Sequence, residues 1–294
     1  MELAKPYAYW ACRSMVEEFN NLPPLDPDRI KTGDLWFGCF NPLREKYVTP
    51  QGKLFKLILM YASRSLVTHV GICVRDEPCP KYPKGRIWVV SLMFREKDEP
   101  YRMNDPMLGR EGLVYMPLEF LTAMYDYVRI RQISKPIPNG VLRRALRETP
   151  HALLKRLNYL HTLFSTRKFG GTRRPKNVPH NEFTCSEHIY EVLKTCRVIK
   201  PNECVGTQPA DWYHVKHDWD NPIEYLIPYG DPHRLVCRRD TDIGREILRI
   251  NGKLERGPWQ IGTTFGEKID MGNLREIVQS IKDPKAVLPM LSRL

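Results

Sequence analysis

Two strand-forming runs separated by a connection that can be neither helix nor strand constrain this fold more than any other stretch. Residues 66–74, Leu-Val-Thr-His-Val-Gly-Ile-Cys-Val, carry the period of two expected of a β-strand. Residues 76–85 then hold Pro78, Pro80, Pro83 and Gly85, which mark a loop. Residues 86–95 resume as a second strand, so the pair predicts an antiparallel hairpin. In the first strand Val70, Ile72 and Val74 share one face, and His69 shares the other with Gly71 and Cys73. Gly71 leaves room beside the histidine. By itself that pattern equally describes a core histidine with a satisfied hydrogen bond.

A second constraint lies more than a hundred residues on. Thr184-Cys185-Ser186-Glu187 has the form of a capping box, with Thr184 capping a helix and Glu187 reaching back to the Thr184 backbone. Ile189, Val192, Leu193 and Cys196 continue at helical spacing, so the helix has a buried face and Cys185 falls in its first turn. A thiol there meets the positive end of the helix dipole and unsatisfied backbone N–H groups, which favour the thiolate. The same N–H groups can hold an oxyanion that forms at an attacked carbonyl. The plain alternative is a small buried hydrophobe.

Around these two anchors the chain punctuates itself clearly. A helix is expected over residues 9–20, ended by the proline run at 23–27, and a strand over 34–40. Residues 53–65 read as an apolar helix, 118–125 as a helix opening after Pro117, and 127–133 as a strand. A basic helical stretch over 141–164 should break or kink at Pro150. Beyond Pro201 short strands are expected, with a hairpin at Asn251-Gly252 and a last helix near 274–281.

Composition excludes several classes. Forty-two per cent hydrophobic residues, six Trp and fourteen Tyr are values of a folded chain. The first twenty residues contain Glu2, Lys5, Arg13, Glu17 and Glu18 and so carry no secretory signal. The longest apolar segment, residues 54–62, is interrupted by Lys56 and is shorter than the ~20 residues of a spanning helix. Synthesis in the cytoplasm, with no transmembrane segment, is the expectation. The eight cysteines lie at 12, 39, 73, 79, 185, 196, 204 and 237 without paired short spacing, which argues for reduced, structural thiols. Cys185-x-x-His188, with His180 or the His214/His217 pair, is the nearest approach to a zinc set, and neither a metal nor a cofactor is expected.

The formal charge of +12 is concentrated. Residues 143–176 hold ten Lys or Arg against the single acid Glu148. That stretch reads either as a solvated face or as a docking surface for an anionic partner: phospholipid, nucleic acid or an acidic protein.

Gly33-Asp34-Leu35, then Thr68-His69-Val70-Gly71-Ile72, then Phe183-Thr184-Cys185-Ser186-Glu187, in this order, resemble the circularly permuted NlpC-type papain-like cysteine hydrolases, notably the YiiX-like branch. Residues 115–121 resemble the segment after the histidine hairpin in that family, and Thr207-Gln208-Pro209-Ala210-Asp211 the stretch after the cysteine helix. The resemblance spans about residues 30–215 and rests on the ordered combination. It implies an α+β fold in which an antiparallel sheet bearing His69 packs against the helix presenting Cys185. The expected division is an N-terminal helical segment over 1–30, the hydrolase domain over 31–215 and a mixed C-terminal extension over 216–294.

In the family the cysteine attacks, the histidine is its base, and a third polar residue, often Glu, stands on the strand after the histidine strand. The matching place here is Val90-Ser91-Leu92, so Ser91 departs from the pattern. In a symmetric hairpin it would lie opposite His69, where a hydroxyl could orient the ring. Asp34 is expected to hold a turn, and Glu96 and Asp98 are read as solvated loop acids. The resemblance implies a thiol hydrolase or acyltransferase acting on an amide, ester or thioester through a cysteine acyl-enzyme, with Cys185, His69 and Ser91 as its catalytic set. A second reading stays open, because relatives of this family occur in large DNA viruses: a weakly active or inactive domain serving as a structural or interaction component of a large assembly such as a virion.

Overall fold

The computed structural model describes residues 17–39, 65, 67–92, 112–125, 127–149, 152–153, 182–199, 209–213, 229–253 and 264–265. Their centre is a seven-stranded mixed sheet. In chain order its strands are β1 (Pro24–Leu25), β2 (Leu35–Cys39), β3 (Val67–Arg75), β4 (Ile87–Leu92), β5 (Leu113–Pro117) and β6 (Tyr127–Ile133). A separate parallel pair follows, β7 (Ala152–Leu153) with β8 (Glu182–Phe183), and then the last strand of the main sheet, β9 (Tyr229–Leu235). The spatial order is β1-β9-β6-β2-β3-β4-β5, and every pairing in it is antiparallel except β1 with β9. The α+β class is therefore present, and the expected hairpin is β3–β4, with Cys73 opposite Val89 and Ile72 opposite Val90.

Nearly every residue of β2, β3, β4 and β5 is buried, because side-chain layers cover both faces. One face carries Leu35, Phe37, Val70, Ile72, Val74, Val90 and Leu92. It is covered by α2 (Asn139–Glu148), α3 (Cys185–Thr195) and α4 (Pro209–Tyr213) through Leu142, Leu146, Ile189, Val192, Leu193 and Trp212. The other face carries Trp36, Cys73, Val89, Val114, Met116 and Ile130. Its cover is α1 (Leu118–Met124) and α5 (Asp242–Lys253), through Leu118, Leu121, Ile247 and Ile250. Each fully buried Leu, Ile or Val contributes ~1.5–3 kcal/mol over exposure, so the two layers are the main source of stability.

Local chemistry accounts for the ends. Asp34 turns the chain into β2: its buried carboxylate accepts from the backbone N–H groups of Lys31 (2.7 Å) and Ile133 (2.8 Å). The turn that Asp34 holds, as expected, thus also ties β2 to the end of β6. Gly33 has φ +98°, a conformation that an L side chain rarely adopts. The basic helix α2 stops at Glu148, and Thr149 is extended before Pro150 because the proline ring disfavours helical geometry in the residue ahead of it.

Three expectations are corrected. The described part of residues 216–294 is not an extension outside the core: β9 is hydrogen-bonded between β1 and β6, and α5 packs on α1. Of the N-terminal segment, the described residues 17–30 are equally integral, since Phe19, Leu25 and Ile30 are buried in the two layers. Asn251-Gly252 makes no hairpin, because it lies in the last turn of α5. That helix is favoured by its buried Ile247–Ile250 stripe and by Asp242–Arg245 and Glu246–Arg249 pairs at i,i+3. The helix expected over 53–65, save residue 65, and the one expected over 274–281 lie outside the described residues, as does the 9–16 part of the first helix, whose end is seen over 17–21. Among the described residues no helix is long and apolar enough to cross a membrane.

Candidate active site

The capping box at the start of α3 is formed in full. The Glu187 N–H donates to Thr184 Oγ1 at 3.1 Å, and the Thr184 N–H donates to Glu187 Oε2 at 2.8 Å. This fixes Cys185 as the first helical residue, 3% exposed, with its sulfur 3.9 Å from Ser186 Oγ. Cys185 belongs to the layer of Val70, Ile72 and Leu92. Glu187 is committed to the cap, as its position in the motif requires, and His188 is fully buried in the same helix.

His69 is placed by a bulge. Gly38 pairs with His69 but Cys39 pairs with Val67, so Thr68 is an extra residue in β3. Gly38 also pairs with Val128, a residue of the second layer, which sets the side to which His69 points. There the imidazole stacks on Tyr125 (6.1 Å, 10° between planes) and meets Trp36 edge-on at 6.1 Å. Trp36 and Tyr125 are both members of the second layer.

Ser91 reaches the same ring, with its Oγ 2.8 Å from His69 Nε2. It does so diagonally: pairing of Ile72 with Val90 sets Ser91 level with Gly71, not opposite His69 as a symmetric hairpin would. The path is open because Gly71 has no side chain; a Cβ there would stand 3.3 Å from Ser91 Cβ and 2.6 Å from Val89 Cγ1. The hydroxyl has one proton, and its shorter contact is to the Val70 carbonyl at 2.6 Å. Ser91 therefore donates to Val70 and accepts from His69, which puts the ring proton on Nε2 and leaves Nδ1 as the basic nitrogen.

Of the three residues read as a catalytic set, the structure joins His69 to Ser91 and sets Cys185 apart. Cys185 lies in the layer under α3, whereas His69 and Ser91 lie on the reverse of the sheet, against Trp36 and Tyr125. The expected approach of Cys185 to His69 across the helix–strand interface is corrected on this point. The cause is the pleat: Val70 and Ile72 contact the helix layer, so their neighbours His69 and Gly71 must point away from it.

Other expected groups are placed more simply. On α2, Arg143, Arg144 and Arg147 are exposed while Leu142, Ala145 and Leu146 are buried, and Arg143 pairs with Asp76. Residues 154–176 of the basic stretch, Glu96, Asp98, His180, His214 and His217 lie outside the described residues. Burial pushes the Cys196 thiol up to about 11. Burial, chiefly, and Asp34 push Cys73 up as well.

Sequence reasoning missed two buried arginines in β6. Val128-Arg129-Ile130-Arg131 alternates like a strand with one wet face, yet both arginines are buried. Arg131 is spent on backbone carbonyls of Gly230 (2.9 Å), Trp212 (2.7 Å) and Tyr229 (3.3 Å). Only the cover of Phe19 and α4 on that face, with β9 along the strand's flank, distinguishes the two cases. No known family's sequence model matches the chain, and no curated protein matches it significantly.

Proposed function

We propose that this chain is a structural or interaction module on an α+β frame of the permuted papain-like, NlpC type, and that neither Cys185 nor His69 turns over substrate. One observation carries the reading: the sheet lies between the two side chains. A general base must come within ~3 Å of the proton it takes, or reach it through one water. A histidine stacked on Tyr125, edge-on to Trp36 and bonded to Ser91 is instead fitted to a structural role. Such a module suits a component of a large assembly. The exposed arginines of α2 offer an anionic partner a first contact.

Cysteine-directed acyl and alkylating probes over a pH series test this. The expected result is slow labelling of Cys185, no faster than Cys196, that His69→Ala leaves unchanged. Rapid neutral-pH labelling of Cys185 that His69→Ala slows ~100-fold would overturn it.

A second reading, the thiol hydrolase or acyltransferase working through a cysteine acyl-enzyme, has an observation of its own. The completed capping box holds Cys185 where helix N–H groups favour a thiolate, and Ser91 fixes a histidine tautomer with a basic Nδ1. That reading requires the histidine to change faces, or a base other than His69.

A further inference from the structure

Arg129 stands in the middle of β6 with its side chain turned into the helix-covered layer, opposite Phe37 and two residues from the position that pairs with Cys39. It is 1% exposed. Its guanidinium lies 4.7 Å from the Phe19 ring centroid and 4.8 Å from that of Tyr213. Nη1 donates to Cys39 Sγ, and Nε is buried with no acceptor. The Glu18 carboxylate, half-buried at the rim, accepts from the Tyr213 hydroxyl at 3.0 Å.

A guanidinium taken out of water needs an anion in contact, and aromatic faces supply only part of that. Burial works against the charge of Arg129, but Cys39, Tyr213 and Glu18 outweigh it and its pKa is raised. Tyr213 is itself kept neutral, because burial pushes its phenol upward. The atom touching the cation is the sulfur of Cys39.

We infer that Cys39 is held as a thiolate by Arg129 and is a modification site for hydrogen peroxide. The sulfur lone pair attacks one peroxide oxygen; the S–O bond forms as the O–O bond breaks, and the second oxygen leaves as hydroxide, which passes to solvent and is protonated to water by the buffer acid. Sulfur is oxidised to the sulfenic acid and the peroxide is reduced. The product is neutral, so Arg129 loses the anion in contact with it, and the β2–β6 end of the sheet is weakened.

The test is thiolate ultraviolet absorbance of the folded full chain with and without Cys39→Ser, followed by hydrogen peroxide, dimedone trapping and peptide mass analysis. One thiolate equivalent that Cys39→Ser removes, constant from pH 6 to 8, is expected, whereas an ordinary thiol would be only ~3% ionised at pH 7 and rise nearly tenfold per unit below its pKa. The dimedone adduct should be at least ~10-fold greater at Cys39 than at Cys73 or Cys237, whose thiols burial pushes upward. No absorbance difference, or an adduct at Cys39 no greater than at Cys73, overturns the proposal. If Cys39→Ser does not fold, the comparison among peptides of the unmodified sequence decides alone.

Discussion

Ser91 reaches the imidazole of His69 across the space that Gly71 leaves empty. Both ends of this hydrogen bond are buried, so neither group can turn to water in its place. Removing the hydroxyl by Ser91→Ala strands the Nε2 proton of His69. An unsatisfied buried donor costs ~1–3 kcal/mol, and chemical denaturation should show a drop in stability of that size. Nitrogen-15 shifts of the ring should report Nε2–H in the native chain and a mixture of tautomers in the variant. A native ring protonated at Nδ1 would refute the assignment.

Gly71→Ala should be more damaging than its size suggests. The added carbon would meet Val89 Cγ1 at 2.6 Å and the Val90 backbone oxygen at 3.1 Å, and the second of these cannot rotate away. Overpacking of this kind costs ~1–3 kcal/mol. Thermal melts should fall accordingly, and the hydrogen bond between Ser91 and His69 should break in the same variant. A neutral Gly71→Ala would mean that the strands are spaced more widely than described.

Asp34 gives the fold a pH signature. Burial raises its carboxyl from 3.8 to about 6, against the backbone donors Lys31 and Ile133, which pull it down. The folded state therefore binds this proton more tightly than the unfolded chain does. Asp34 contributes most to stability below pH ~4, and that contribution is lost as pH rises through about 6, by on the order of 3 kcal/mol in all. Urea midpoints at pH 4.5 and 7 for the native chain and Asp34→Asn should show the slope in the first and its reduction in the second. Equal slopes would exclude Asp34 as the source.

Ending the chain at residue 215 should not leave a stable core. It removes β9 from between β1 and β6 and α5 from above α1. The exposed β6 edge would then present Arg131 without the carbonyls of Gly230 and Tyr229. Soluble expression with a cooperative melt would show that the sheet tolerates the truncation; aggregation is the expected outcome.

The β3–β4 hairpin and the capping box were legible because each is set by neighbours in sequence: a period of two around a proline loop, and two side chains three residues apart. Which layer covers which face was not. Val70-Ile72-Val74 and His69-Gly71-Cys73 both suit a buried surface, and only a helix made more than a hundred residues later decides between them. The same limit hid Arg129 and Arg131, whose strand reads as half wet until Phe19 and α4 cover it and β9 closes its flank. Pro232 concealed β9, since a proline argues against a central strand. It is tolerated beside Arg131, where the β6–β9 register slips.

The parallel pairing of Pro24 with Arg234 and Leu25 with Leu235 has a temporal consequence. During synthesis the β2–β5 part of the sheet can form while β1 still has no neighbour, for its partner is encoded 210 positions downstream. At ~5–20 residues per second that interval is about 10–40 s, long compared with hairpin formation in microseconds. Throughout it, the open flank of β6 and the buried surfaces of Phe19, Leu25 and Trp36 await their cover. The nascent chain is thus open to aggregation over that interval, and a pause in translation before residue 229 would lengthen it.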